Sequence, residues 1–137
     1  MLSDITPVIL TLNEAANLER SLERLSWAKD IVIVDSGSSD ETPQIARKYP
    51  QVRWFERQFD THAGQWGYAM SDTGIRTDWI LRLDADYIVS EALISEISQL
   101  EPQANVAGYR IGFDYAIHGR KLRGSLYPLI RISQMNP

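Results

Sequence analysis

Ile31-Val32-Ile33-Val34-Asp35 is the stretch that decides the fold, and a later one, Trp79-Ile80-Leu81-Arg82-Leu83-Asp84-Ala85-Asp86, repeats its pattern. Each is a short apolar run that ends on a carboxylate. Runs of this kind, rich in β-branched residues, predict buried strands of a parallel sheet. Open α/β sheets bind ligands just outside the carboxyl ends of their strands, so we expect both sets of acids to lie in one crevice.

Asp84 and Asp86 predict a metal in this crevice. Two residues apart on an extended backbone, they project to the same side, where like charges repel unless a cation lies between them. Hard divalent cations such as Mg²⁺ take carboxylate and phosphate oxygens and retain water, so one or two carboxylates and a diphosphate suffice as ligands. The alternative is a solvated turn closed by a side-chain hydrogen bond, because acids at this spacing also occur by chance.

Length and composition are typical of one enzyme-like domain. The chain has 137 residues, 44% of them hydrophobic, which is enough for one core, so we expect a single domain over residues 1–137. The absence of cysteine excludes disulfides and thiolate metal sites and favours a reducing compartment. No apolar stretch approaches the roughly 20 residues of a membrane helix, and the N-terminus lacks a basic, signal-type start. The expected location is the cytoplasm.

Charge is distributed unevenly along the chain. The net charge is −4, yet residues 110–137 hold five basic residues against one acidic residue. The acidic remainder argues against nucleic-acid binding, which needs a basic face. The basic segment suits phosphates on a substrate or on a lipid surface. The alternative is a solvated loop with ordinary surface charges.

Strand and helix patterns alternate along the chain, which predicts right-handed crossovers and a mostly parallel sheet flanked by helices. Strands are predicted at residues 8–12, 31–34, 52–55 and 78–83, with a further one at 106–111. Helices are predicted after Asn13 and at about 42–49, 64–73 and 90–100. Residues 112–137 show no clear period.

Two of these helices begin with capping signals. Asn13 is expected to cap the first one. Ser38, with Glu41 three residues later, forms a capping-box pattern, and Pro43 suits a first helical turn.

The loop from Asp35 to Asp40 has two explanations. In the structural one it is a strand-to-helix turn, where Gly37 permits unusual dihedral angles and Ser38 or Asp40 caps the next helix. In the functional one the Asp35 carboxylate points into the crevice and accepts an imide N–H such as that of uracil. The glycine spacing matches neither the phosphate-loop nor the dinucleotide fingerprint.

Three blocks of the chain together resemble family 2 glycosyltransferases of the GT-A fold. They are Thr11-Leu12-Asn13-Glu14, the run from Ile33 to Thr42, and Leu83-Asp84-Ala85-Asp86. A closer resemblance, to bacterial enzymes similar to lipopolysaccharide core β-glycosyltransferases, is carried by Trp27-Ala28, by "DWILRLDADYIVSEAL" and by "HGRKLRGSLYP" followed by "LIRIS". The resemblance covers nearly the whole chain.

The resemblance implies a Rossmann-like GT-A fold that binds a nucleotide-diphospho-sugar donor. The expected donor is a UDP-sugar. Within this fold, Asp35 reads the uracil-type base, Asp40 supports the loop near the ribose, and Asp84 faces the ribose. The implied donor-binding residues are Thr11, Asn13, Glu14, Asp35, Gly37, Ser38, Asp40, Asp84 and Ala85.

The resemblance also implies a metal and a reaction. Asp86, with Asp84, would bind Mg²⁺ or Mn²⁺ on the diphosphate. Such enzymes invert the configuration at the anomeric carbon. A carboxylate deprotonates an acceptor hydroxyl, which attacks in line as the nucleoside diphosphate departs. The acceptor is a saccharide or a lipid-linked one in cell-envelope polysaccharide synthesis, which would place the protein at the inner face of the membrane. Arg120, Lys121 and Arg123 fall on the acceptor side.

The chain departs from the family pattern in two ways. Tyr87 stands where the subgroup usually has an acid after Asp-x-Asp. The catalytic base and the acceptor region normally lie further along than this chain extends, so we expect the base beyond Pro137 and regard the chain as the donor-binding part.

Two other readings of the chain remain open. A catalytically silent nucleotide-sugar-binding module, or a truncated fragment, is favoured by the missing base. A phosphatase of the haloacid dehalogenase type also begins its site with an apolar strand that runs into Asp-x-Asp. That class needs the pair near the N-terminus and a Gly-Thr after it, whereas Tyr87-Ile88 follow here.

Overall fold

The computed structural model describes residues 1–112, 114–117, 120–121 and 130–135. Its strands are β1 (Ile5–Thr11), β2 (Ile31–Asp35), β3 (Val52–Glu56), β4 (Trp79–Asp84), β5 (Gly108–Ile111), β6 (Ala116–Ile117), β7 (Arg120–Lys121) and β8 (Ile130–Gln134). A 3₁₀ turn at Leu2–Asp4 precedes β1, and the α-helices are α1 (Ala15–Glu23), α2 (Thr42–Ala46), α3 (His62–Ser71) and α4 (Glu91–Gln99).

Six of the described strands form one sheet in the order β3-β2-β1-β4-β8-β5. The first four are parallel neighbours, joined by α1, α2 and α3 in the chain. β8 is antiparallel to both β4 and β5, while β6 and β7 pair with each other. The predicted α/β fold with a mostly parallel sheet is confirmed.

Burial on both faces of the sheet explains the continuous apolar runs. Ile31 and Ile33 of β2 belong to the core cluster that includes residues of α1, α2 and α4, whereas Val32 and Val34 belong to the cluster that includes residues of α3. All four side chains are fully buried, and burial of each stabilises the fold by about 1.5–3 kcal/mol. A strand covered on both faces has no polar side, so its sequence does not alternate.

The observed elements differ from the predicted ones at several places. β1 begins at Ile5, three residues before the predicted start, and α2 ends at Ala46, earlier than predicted. β6, β7 and β8 lie in a segment for which no element was predicted. The apolar–polar alternation Ile130-Arg131-Ile132-Ser133 is only four residues long, and β8 is positioned by its two partners, which lie far away in sequence. In the part of the chain that the structure describes, no helix has the length and apolar character needed to cross a bilayer.

Candidate functional site

The carboxyl ends of β2, β1 and β4 form one edge of the sheet. The strand register places Thr11 beside Asp35, and Leu10 beside Asp84. Since neighbouring strands lie about 4.8 Å apart, the backbones of Asp35 and Asp84 are roughly 10 Å apart, with β1 between them. The predicted convergence of the two carboxylate-ending strands at one edge is therefore confirmed.

Asp35 is buried, and both of its carboxylate oxygens have partners. Oδ1 accepts hydrogen bonds from the Thr11 hydroxyl at 2.8 Å and from the Ser38 hydroxyl, and Oδ2 accepts from the backbone N–H groups of Gly37 at 2.9 Å and Ser38 at 2.6 Å. A carboxylate has about four acceptor positions, and all four contacts here come from the chain itself. Asp35 thus fixes the turn after β2, and Gly37 has a positive φ of +98°, the unusual dihedral angle that the structural explanation predicts.

Asn13 links this turn to the one after β1. It has a positive φ of 54°, its backbone N–H donates to the Ser38 hydroxyl at 2.8 Å, and its Oδ1 accepts from Ser39 N–H at 2.8 Å. The prediction that Asn13 caps α1 is wrong. The N-cap position is Glu14, and the Asn13 side chain is turned toward the neighbouring loop, where it accepts a backbone donor.

Asp40 and Thr42 cap α1 from across the site. The N–H of Glu14 donates to the Thr42 hydroxyl at 2.8 Å, and the N–H of Ala15 donates to Asp40 Oδ2 at 3.1 Å. Asp40 also accepts from the hydroxyl and the N–H of Thr42, and the hydroxyl contact is the main reason why the pKa of Asp40 lies below its usual value. The loops after β1 and β2 are therefore joined into one unit.

The predicted capping box at the start of α2 is also wrong. The N-cap position of α2 is Glu41, which makes no side-chain capping hydrogen bond. The Ser38 hydroxyl instead donates to the Asp35 carboxylate and accepts from the backbone N–H of Asn13. Asp40 precedes the N-cap residue, and its Oδ1 accepts from the N–H of Thr42 at the start of the helix.

The Asp84-Ala85-Asp86 segment is a turn. β4 ends on Asp84, and the N–H of Tyr87 donates to the Asp84 carbonyl at 3.0 Å. The premise that Asp84 and Asp86 project to the same side of an extended strand is therefore wrong. Ala85 is buried within the turn, Asp84 is half-buried, and Asp86 is exposed.

Ser21 of α1 holds this turn and was not predicted from the sequence. Its buried hydroxyl lies 2.6 Å from the Ala85 carbonyl and 2.9 Å from the Tyr87 carbonyl. Ser21 lies on the buried face of amphipathic α1, beside Leu18 and Leu22. In the sequence it looks like an ordinary small residue of that face. No motif signals a contact between residues more than sixty positions apart.

Tyr87 stands directly after Asp86, at the position where the resemblance implies an acid. Its side chain hydrogen-bonds the Asp84 carboxylate. Burial first, and then this bond and the negative charge of Asp84, raise the pKa of the Tyr87 phenol well above its usual value. The phenol therefore stays protonated and can donate to Asp84.

The donor set of the turn fits a hard cation that brings other ligands with it. Among the described residues no group of three or more His, Cys, Asp or Glu side chains is arranged to hold a metal. Asp86 is exposed, and Asp84 and Asp86 offer only carboxylate oxygens. A Mg²⁺ or Mn²⁺ ion here would complete its coordination with diphosphate oxygens and water, as Mg²⁺ commonly does.

A cavity of about 990 Å³ lies beside Asp86, large enough for a saccharide. Charged and aromatic side chains from distant segments contribute to its wall: Arg20, Asp86, Tyr87, Arg110, Asp114 and Tyr115. Sequence spacing gave no reason to join Asp114 to the Asp86 region, but the structure places both in this wall.

A second set of polar contacts extends the site beyond β2. The side chain of buried Gln65 on α3 donates to the Ser36 hydroxyl at 2.8 Å and to the Arg57 carbonyl at 3.0 Å, and it accepts from the Arg57 guanidinium at 2.7 Å. The Arg57 N–H in turn donates to the Asp35 carbonyl at 2.9 Å. These residues were not predicted, because a lone buried glutamine has no sequence signature.

The predicted acceptor-side residues are described only in part. Arg120 is exposed in β7, and the backbone of Lys121 pairs with that of Ala116 in β6. Arg123 lies outside the described residues.

Comparison with known proteins identifies the family of this chain. Residues 6–129 match the family described as glycosyl transferase family 2. An uncharacterized glycosyltransferase from Rickettsia bellii is 33% identical over 106 residues, which are 77% of this chain and 35% of the relative. The lipopolysaccharide core biosynthesis glycosyltransferase LpsC from Rhizobium meliloti is 30% identical over 112 residues, which are 78% of this chain and 41% of LpsC. The chain thus spans about two-fifths or less of the length of these curated relatives.

Solved structures show the same fold. The crystal structure of glucosyl-3-phosphoglycerate synthase from Mycobacterium tuberculosis, in complex with Mn²⁺, UDP and glucosyl-3-phosphoglycerate, superposes with a TM-score of 0.61. It is 18% identical in sequence, and the match covers 77% of this chain and 42% of that one. The fold is GT-A, and the chain belongs to glycosyl transferase family 2.

Proposed function

We propose that this chain is the donor-binding part of a metal-dependent, inverting glycosyltransferase that moves a sugar from a UDP-sugar to a saccharide or lipid-linked acceptor in cell-envelope polysaccharide synthesis. One observation carries the proposal. The carboxylate-ending strands β2 and β4 flank β1 at one edge of the sheet, and an exposed acid, Asp86, follows directly. This edge is where open α/β sheets bind nucleotides.

The joined loops after β1 and β2 form the nucleotide side of the proposed site. Their hydrogen bonds fix the backbone before any ligand binds, which lowers the entropy lost on binding. We assign the nucleotide pocket to the residues of these loops and of the β4 turn: Thr11, Asn13, Glu14, Asp35, Gly37, Ser38, Asp40, Asp84 and Ala85.

Asp35 is assigned to the base. Two of its four partners are hydroxyls, those of Thr11 and Ser38, and a hydroxyl can rotate to offer its hydrogen elsewhere. The imide N–H of uracil would take an acceptor position released in this way. Asp35 would then hold the turn and read the base with the same carboxylate.

Asp86, with Asp84, is assigned to the diphosphate through a divalent cation. When bound, the cation stabilises the charge that develops on the departing diphosphate. Tyr87 orients the Asp84 carboxylate by donating to it, and the turn presents Asp86 to solvent, where a diphosphate can reach it. No residue of this chain is assigned as the general base, which we place outside residues 1–137.

The acceptor is assigned to the cavity beside Asp86 and to the basic segment that follows β5. Tyrosine faces, carboxylates and guanidinium groups in one wall suit the apolar faces and hydroxyls of a sugar. The positive charge of Arg120, Lys121 and Arg123 suits a phosphorylated or lipid-linked acceptor at the inner face of the membrane.

The named relatives and neighbours support this proposal in outline. One relative is named for lipopolysaccharide core biosynthesis, and the solved GT-A enzyme was crystallised with Mn²⁺ and UDP. Those names describe those proteins, and their relevance to this chain depends on the shared family and fold.

A catalytically silent nucleotide-sugar-binding module is the second candidate, favoured because the described site contains no assigned base. The two functions separate in one experiment. UDP-glucose and UDP-galactose are each incubated with the chain, Mn²⁺ and a lipopolysaccharide-core acceptor, while binding is measured by calorimetry. Binding with transfer or donor hydrolysis supports the transferase, and no binding contradicts both functions. Because the base is placed outside residues 1–137, binding alone is followed by the same assay on a longer protein that contains this chain. Transfer by that protein supports the transferase, and binding without transfer there supports the silent module.

A further inference from the structure

We propose that Ser21 is a positioning residue for the metal-binding turn, an inference that rests on the proposed function. Ser21 lies on α1 and has no place in the motifs at the strand ends. Its hydroxyl joins α1 to the Asp84-Ala85-Asp86 turn and to the residue after it through their backbone carbonyls.

The two contacts of Ser21 flank the proposed metal ligand. The Ala85 carbonyl, at 2.6 Å, precedes Asp86, and the Tyr87 carbonyl, at 2.9 Å, follows it. Asp86 itself is exposed, so packing around its side chain does not fix its direction. The nearby backbone therefore decides where its carboxylate points, and Ser21 holds that backbone at the carbonyl of the residue before Asp86 and at the carbonyl of the residue after it.

Burial makes these contacts persistent. The Ser21 side chain is 1% exposed, and the Ala85 carbonyl is buried with it, so water cannot replace the hydroxyl in the native state. The hydroxyl has one hydrogen, which is shared between the two carbonyls.

α1 also carries the nucleotide side of the site. The N–H groups of its N-cap, Glu14, and of its first residue, Ala15, donate to Thr42 at the start of α2 and to Asp40 in the loop before it. The same nine-residue helix thus holds the nucleotide loops at its start and the metal turn through Ser21. Ser21 sets the distance between the two halves of a ligand that has a nucleoside at one end and a metal-bound diphosphate at the other.

The test separates positioning from stability with a matched variant. Ser21→Ala removes the hydroxyl. Thr73→Val is the control, because it removes another buried hydroxyl, just after α3, that donates to the Ala69 carbonyl of that helix at the same 2.6 Å. Both variants are expected to lower the melting temperature. Only Ser21→Ala is expected to weaken metal-dependent UDP binding. Loss of a contact that orients a metal ligand from outside the coordination sphere typically lowers metal affinity 10- to 100-fold.

The measurements are UDP calorimetry with Mn²⁺ and with excess EDTA, and electron paramagnetic resonance of Mn²⁺ titrated into the chain with saturating UDP. Ser21→Ala is expected to raise the Kd for UDP about 10-fold with Mn²⁺ and to leave it unchanged with EDTA. Unchanged Mn²⁺ binding in Ser21→Ala, or an equal loss in Thr73→Val, overturns the inference. If Ser21→Ala does not fold, Ser21→Cys, which keeps a weak donor, is measured instead, with a smaller loss of the same metal-specific kind expected.

Failure of the proposed function gives a different result. If the unmodified chain binds no UDP with Mn²⁺, the donor site is wrong and so is this inference. If the unmodified chain binds UDP with Mn²⁺ and Ser21→Ala binds it equally, the donor site stands and the role of Ser21 is contradicted.

Discussion

The Thr11 hydroxyl donates to Asp35 Oδ1 over 2.8 Å and so joins the last residues of two adjacent parallel strands. Both residues are buried at the sheet edge where the nucleotide site is proposed. Ser38 and Asn13 extend this contact, so the loops after β1 and β2 are held together by side chains that are also the proposed donor-binding residues. Stability and binding therefore depend on the same groups, and the predictions below are designed to separate them.

Asp35→Asn tests whether this carboxylate reads the base as well as holding the turn. The amide would place an NH₂ group against donors it cannot accept from, so we expect the free energy of unfolding to fall by about 1–3 kcal/mol. If Asp35 accepts the uracil imide, UDP binding also weakens by more than about 1 kcal/mol, because a charged acceptor is lost.

Adenine nucleotides are the control for Asp35, measured by calorimetry beside denaturant unfolding. ADP binding is expected to change far less than UDP binding. Equal losses for both nucleotides would mean that Asp35 only holds the turn.

Asp40→Asn tests the cap on α1 through its pH dependence. Hydrogen bonds, first of all that from Thr42, lower the pKa of Asp40 in the folded chain. Because the pKa is lower in the folded chain than in the unfolded chain, ionised Asp40 stabilises the fold. This stabilisation is complete at a pH above the unfolded-state pKa of about 3.9, and it is lost as the pH falls through the folded-state pKa. The variant is expected to melt at a lower temperature than the unmodified chain at pH 7, and the gap should narrow as the pH falls below about 4. A gap that is the same at pH 7 and pH 3 would show that charge on Asp40 does not matter.

Tyr87→Phe tests the support given to Asp84. The change removes the phenol hydroxyl and leaves the ring, so we expect a loss of roughly 0.5–1.5 kcal/mol in stability and a weaker response of UDP binding to Mn²⁺. Tyr49→Phe is the control, because its hydroxyl contacts the Glu19 carbonyl at 3.4 Å on the exposed surface. Equal effects of the two variants on the Mn²⁺ response would remove Tyr87 from the site.

A triple variant tests whether the basic segment binds the acceptor, with Gln in place of Arg120, Lys121 and Arg123. Binding to anionic liposomes or phosphorylated glycans is expected to fall, most strongly at low salt, where charges are least screened. UDP affinity should stay within about 0.5 kcal/mol of the unmodified chain. The same three-charge change at exposed Lys29, Arg47 and Arg76 is the control, and an equal loss there would mean that binding follows net charge alone.

The sequence predicted the sheet well because its signals are local. Val32 and Val34 alternate with Ile31 and Ile33 between two cores, so a five-residue run is enough to identify a buried strand and its terminal acid. The same reasoning located the edge at which Asp35 and Asp84 lie.

The details of the site were predicted less well because their partners are distant in sequence. Asn13 is a good capping residue, but its nearest polar partners, Ser38 and Ser39, lie on another loop, and its backbone takes the left-handed conformation that reaches them. Ser21 contacts carbonyls more than sixty residues away, and β8 depends on the strands at its two sides. A hydrogen bond to a distant backbone carbonyl does not depend on the side chain of the accepting residue, and the place of a strand between two others is not encoded in that strand alone. Both features therefore become visible only in the folded structure.

The central claim is a divalent cation on Asp86 that holds the diphosphate of a uridine nucleotide, and UDP calorimetry with Mn²⁺ and with excess EDTA tests it most directly. The variants are Asp86→Asn and, as a matched control, Asp78→Asn, an exposed acid at the opposite end of β4. We expect Mn²⁺ to strengthen UDP binding in the unmodified chain and in Asp78→Asn, and expect Asp86→Asn to lose about 2–4 kcal/mol of that gain. Equal UDP affinity with Mn²⁺ and EDTA in the unmodified chain, or a full Mn²⁺ effect in Asp86→Asn, would contradict the account.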